Sequence, residues 1–150
     1  MASYMGLEKN ISYWTIPAAF VLALLPRVYA GHIGLGKKFF DGTNPRTFTE
    51  RLEKANIDKR SKLRLQRAEA AGANAFETLG LYAAAVTAGN AADLPRETLN
   101  TLSLAYLATR VLYTWVYIWG QENRRFAPVR TLVWSAGIFL VMRLFILSAS

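Results

Sequence analysis

Glu77, Arg110 and Arg130 stand inside long apolar runs, where an ionisable side chain needs either a partner or a task. Their neighbours fall into three sets. Asn74 and Glu77 follow Arg67 at about two and three helical turns, so the three share a helix face. Tyr106, Arg110, Tyr113 and Tyr117 alternate steps of four and three and again share one face. Arg125, Arg130, Thr131 and Trp134 open the last apolar run. The arginines of these stripes outnumber the nearby carboxylates, so the expected pocket is net positive. A guanidinium fork matches a carboxylate geometrically, which points to an anionic ligand. The competing arrangement is an internal network, with Glu77 paired to Arg110 and Asn74 bonded to a backbone carbonyl. Arg27 and Arg143 lie close enough to helix ends to extend to the interface and receive no function. His32 reads as a surface residue.

Other chemistries are excluded by composition. There is no cysteine and one histidine. A Cys-ligated metal site is therefore absent, a histidine metal site lacks ligands, and a Ser-His or Cys-His nucleophile system is not expected. No metal is expected. At 53% hydrophobic residues the chain is too apolar to stay unfolded. The formal charge of +8 asks for an anionic partner, and nucleic acid fits poorly because the basic segment is interspersed with acids and lacks interleaved aromatics.

The elements that must hold these residues are visible in the gaps between charges. Residues 10–30 carry only Arg27, residues 68–92 only Glu69 and Glu77, residues 99–121 only Arg110, and residues 126–150 only Arg130 and Arg143. A hydrocarbon core of about 30 Å needs roughly 20 helical residues. The chain therefore reads as one all-α domain, an integral membrane four-helix bundle, with spans at about 12–32, 66–90, 98–120 and 127–148. A soluble bundle would show a charged stripe along each helix, and the last run shows none. The segment 33–65 holds nine Lys or Arg against four Asp or Glu. By the positive-inside rule it faces the cytoplasm with the 121–126 turn, and both termini face the lumen or exterior. Its FTERLEKANI stretch is weakly amphipathic, suited to lying on the membrane or covering a site, and its basic residues suit anionic membrane lipid. Asn10-Ile11-Ser12 has a glycosylation pattern but sits against the membrane.

Three motifs resemble one family. RAEAAGANAFETLGLY holds Asn74-x-x-Glu77 after Arg67, TRVLYTWVY holds Arg110-x-x-Tyr113-x-x-x-Tyr117, and RFAPVRTLVWSAG opens the last helix. In this order, in a chain of this length, they resemble the membrane-associated proteins in eicosanoid and glutathione metabolism. That family includes microsomal glutathione transferases, leukotriene C4 synthase and microsomal prostaglandin E synthase. The resemblance covers about residues 10–148. It implies a homotrimer with glutathione, as co-substrate, between subunits in the cytoplasmic half. It implies that Arg130 favours the glutathione thiolate, with Arg125 as competitor. It implies that Asn74, Glu77, Arg110, Tyr113 and Tyr117 hold the ligand, Glu77 at its amino group. Arg67, Thr131 and Trp134 complete the expected binding set. A nearby guanidinium lowers a thiol pKa, and the thiolate is the nucleophile. The second substrate would be lipophilic and arrive through the bilayer.

The sequence departs from the family at Ala70, Ala71, Gly72 and Ala73, where relatives often carry Arg and a His before the Asn. This places the chain nearer a divergent bacterial or fungal branch. The expected activity is a glutathione-dependent transferase or peroxidase, in the endoplasmic reticulum or a bacterial inner membrane according to source. Two alternatives stand beside it: an isomerase or cyclase in a lipid or natural-product pathway, and a non-catalytic scaffold or lipid-binding protein.

Overall fold

The computed structural model describes residues 9–150, the side chain of Arg124 excepted. Five α-helices account for the described elements, joined by short 3-10 turns: α1 Ser12–His32, α2 Phe48–Lys54, α3 Lys59–Ala91, α4 Arg96–Ile118 and α5 Ala127–Ser148. Each of the four long ones overlaps one of the four segments where a long helix was expected. α1 and α5 are long and apolar enough to cross a membrane on composition alone. α3 and α4 are interrupted by the polar stripes.

α3 differs most from expectation. It begins at Lys59, seven residues before the expected 66, because the Asp58 side chain caps it by accepting from the Ser61 backbone N–H at 2.9 Å. Its 33 residues reach about 50 Å at 1.5 Å each, well beyond a hydrocarbon core. The excess is the turn-rich basic end with Lys59, Arg60, Lys62 and Arg64. Apolarity marks where a helix meets lipid and is silent about where it stops.

The 33–65 segment is more structured than a basic loop. Phe48 and Leu52, one helical turn apart, are buried with Ala30, Leu65, Ala68, Ala71 and Ile118. The amphipathic stretch is thus a short helix whose apolar face rests on the bundle. Gly36 makes the return possible: a Cβ there would lie 1.6 Å from the Ala30 carbonyl oxygen, so only glycine lets the chain fold back against the end of α1.

A second core, toward the other end, joins Ala19, Tyr82, Ala85, Val86, Leu99, Leu102, Tyr106, Val141 and Leu144. Within it Thr15 Oγ1 and the Tyr82 hydroxyl share a hydrogen bond of 2.5 Å. Beyond it the start of α1 is tied to later parts of the chain. Asn100 Oδ1 accepts from the Ile11 N–H, Asn100 Nδ2 donates to the Lys9 carbonyl, and Asn90 Nδ2 donates to Ser12 Oγ, each at 2.9 Å. Asn10 Nδ2 donates to Asn90 Oδ1 at 2.6 Å, so the nitrogen that a glycan would take is used inside the fold. α5 buries only Gly137, Val141 and Leu144 along its length. Leu132, Phe139 and Ile146 are each more than 60% exposed, an apolar surface that suits hydrocarbon.

Candidate functional site

α3, α4 and α5 line an open cavity of about 490 Å³, within the size range of small-molecule sites. Its wall is Ala70, Ala73, Asn74 and Glu77 from α3, Tyr113 and Tyr117 from α4, and Arg130, Thr131 and Trp134 from α5. Helical repetition explains the choice: each helix contributes residues three, four or seven apart, which is one face. Seven of the ten expected residues, Asn74, Glu77, Tyr113, Tyr117, Arg130, Thr131 and Trp134, are brought together here.

Three expected members are placed elsewhere. Arg67 Nη1 donates to the Ile118 carbonyl at 3.0 Å and thereby satisfies the C-terminal end of α4, a favourable place for a cation. Arg125 is exposed in the 3-10 turn before α5, its backbone N–H donating to Asn123 Oδ1 at 3.0 Å. Arg110 is buried behind Tyr113, its guanidinium carbon 5.1 Å from that ring. The wall therefore carries one arginine and one carboxylate, Arg130 and Glu77, where the sequence led us to expect a net-positive pocket. The internal pairing of Glu77 with Arg110 is also overturned, because no nitrogen of Arg110 has a hydrogen-bond partner. Arg27, expected to extend to the interface, instead pairs with Glu69 at 3.1 Å. His32 is exposed as expected, its ring 4.3 Å from that of Phe40.

The site has unused polar capacity. Asn74 Oδ1, an acceptor, and Trp134 Nε1, a donor, are buried without partners. Buried polar atoms in folded proteins are ordinarily bonded, so two such atoms in one wall are fitted for a ligand carrying both a donor and an acceptor. Arg130 lies with its guanidinium carbon 4.7 Å from the centre of the Tyr117 ring. That ring is tilted against Tyr113, with centroids 5.6 Å apart. An aromatic face orients the guanidinium while leaving its N–H groups free to donate. Glu77 is exposed along the open side of the cavity.

The wall as a whole offers one carboxylate for a cation, one guanidinium for an anion, and one free acceptor and one free donor for a polar backbone or amide. Ala70 and Ala73, flagged in the sequence as departures, lie directly in the wall. They supply space and no charge. No group of three metal-ligating side chains occurs among the described residues. Gly137 of α5, where a Cβ would collide with the Arg110 guanidinium, is a requirement beside the site that the spacing of polar residues does not disclose. Residues 11–150 match the family model described as MAPEG family. No curated protein and no solved structure matches the chain.

Proposed function

The chain belongs to the MAPEG family of membrane-bound proteins, whose members are mostly enzymes of glutathione and eicosanoid metabolism, and from that premise we propose that it is a glutathione-dependent transferase or peroxidase. The observation that carries the reading is the cavity itself. It joins one guanidinium, one carboxylate, an orphaned acceptor and an orphaned donor on three helices. Arg130 donates to the thiol sulfur and stabilises its charge as the proton leaves to water. The sulfur electron pair then attacks an electrophilic carbon of a lipophilic substrate. The displaced pair goes to the leaving group or adjacent atom, which takes up a proton. With a peroxide the sulfur attacks an oxygen instead: an S–O bond forms as the O–O bond breaks, the departing alkoxide takes up a proton to leave as alcohol, and a second glutathione converts the resulting sulfenic acid to glutathione disulfide and water. Glu77 anchors the ammonium, and Tyr113 and Tyr117 form the floor under Arg130. The four long helices span the membrane with both termini lumenal or external.

A single copy leaves the site half-built. Glu77 lies about 20 Å from the Ala91 end of α3 at 1.5 Å per residue, within the membrane span, yet it is exposed. A carboxylate there does not face lipid. A homotrimer closes the cavity with an adjacent copy. A second reading, an isomerase or cyclase, is favoured by Ala70 and Ala73, which leave part of the wall apolar.

Ultraviolet difference absorbance of the detergent-solubilised protein, titrated with glutathione at neutral pH, tests the proposal, since the thiolate absorbs where the thiol does not. A saturable signal, lost in Arg130→Ala and kept in Arg125→Ala, is expected. Absence of signal with folded protein would sink the transferase reading, and turnover of a lipophilic substrate without glutathione would establish the isomerase.

A further inference from the structure

Arg110 is 4% exposed, and its Nε, Nη1 and Nη2 have no hydrogen-bond partner. No carboxylate pairs with it among the described ion pairs. What surrounds the guanidinium is aromatic. Its carbon lies 5.2 Å from the centre of the Tyr106 ring and 5.1 Å from that of Tyr113. The space it occupies exists because residue 137 has no side chain. A Cβ at Gly137 would lie 2.3 Å from Arg110 Nη2 and 2.9 Å from Thr109 Oγ1. The contacts continue in both directions. Tyr82 stacks on Tyr106 with centroids 3.9 Å apart and planes 14° apart. Tyr113 lies against Tyr117, and Tyr117 carries Arg130. The order Tyr82, Tyr106, Arg110, Tyr113, Tyr117, Arg130 is therefore one unbroken file of rings and cations along the inner face of α4, ending at the cavity.

We propose that Arg110, seated against Gly137, is a positioning residue that clamps Tyr113 from behind and, through Tyr117, sets the place of the Arg130 guanidinium. Arg110 does not line the cavity, so it does not hold the ligand. A desolvated guanidinium gains most from ring faces when its plane is free to lie along them, which an ammonium cannot reproduce. The clamp is a geometric statement. Its consequence for thiol activation rests on the proposed function above.

The test uses the full chain in detergent with 3-fluorotyrosine at position 113 or 117, in wild type, Arg110→Met, Arg110→Lys and Gly137→Ala. Fluorine NMR reads ring position whether or not glutathione binds. All three variants are expected to shift or broaden both resonances. In the thiolate titration, all three are expected to raise the midpoint pH by about one unit, which is about tenfold less thiolate at a fixed lower pH. A residue needed only for folding would lower the signal amplitude without moving the midpoint. Unchanged resonances in the variants overturn the clamp. So does a midpoint that Arg110→Lys preserves and Arg110→Met shifts, because charge alone would then be sufficient. If wild type gives no thiolate signal, the functional reading fails and the fluorine resonances still decide the clamp. Should Arg110→Met fail to fold, Gly137→Ala and Arg110→Lys carry the decision.

Discussion

Arg130 and Glu77 share a wall, and their separate roles can be measured separately. In the proposed function Glu77 meets the ligand's ammonium and not the sulfur. Glu77→Gln is therefore expected to raise the half-saturating glutathione concentration about 10–100-fold, the loss of one charge-assisted hydrogen bond. The midpoint pH for thiolate formation stays where it was. A shifted midpoint with unchanged saturation would assign Glu77 to the sulfur. Seven members of this wall were legible in the sequence because helical spacing fixes an angular face. Arg67, Arg110 and Arg125 lie on or near the same stripes and do not reach the cavity. Spacing is silent about depth and about what the neighbouring helix offers. Arg67 finds the Ile118 carbonyl, a backbone acceptor that no side-chain pattern records. Arg110 finds the hollow at Gly137, a feature of a helix that follows it in the chain.

Between α4 and α5, the turn that leads to Arg130 is held by a single carboxylate. Glu122 Oε2 accepts from Arg60 Nε at 2.9 Å and Oε1 from Arg64 Nε at 2.9 Å, each guanidinium forking with its second nitrogen to the same oxygen. The two arginines hold the Glu122 carboxyl down from 4.5 to about 2. A depressed carboxylate contributes its stability fully above 4.5 and loses it as pH falls through about 2. Amide exchange over residues 119–126 is thus expected to remain protected at pH 4 and to lose protection near pH 2. Glu122→Gln is expected to accelerate exchange there at neutral pH and to leave the interior of α3 unaffected, with high salt mimicking the change in part. Acceleration already at pH 4 would show that the pair is not formed. The existence of the four long helices was readable from the charge gaps. The polar first turns of α3 were not, and α2 showed only as the weak amphipathic character of FTERLEKANI, because seven residues with two apolar positions fall short of a full periodic signal.

The molecule as a whole is built to be covered. Its outward faces on α1, α4 and α5 are apolar, with Phe20, Val21, Val111, Leu112, Leu132 and Phe139 exposed, while the cavity mouth and Glu77 are polar. In the proposed trimer, neighbouring copies cover the cavity mouth and lipid covers the apolar faces. Mass measurement of the detergent-released complex is expected to read three copies. A monomer of unchanged mass that still forms the thiolate would show that one chain completes the site. Stoichiometry was not readable from periodicity, since no helix carries a repeat that specifies three. The tie at the start of α1 has a further consequence, in the order of biosynthesis. The N–H of Ile11 waits for Asn100, 89 positions downstream, and Ser12 waits for Asn90. During translation α1 is complete long before either asparagine exists. Its packing on α3, through Thr15 with Tyr82 and Arg27 with Glu69, can form as soon as α3 is made, whereas the tie at Ile11 must await α4. A nascent chain halted before residue 100 therefore holds an α1 that rests on α3 while its leading end is not yet fastened.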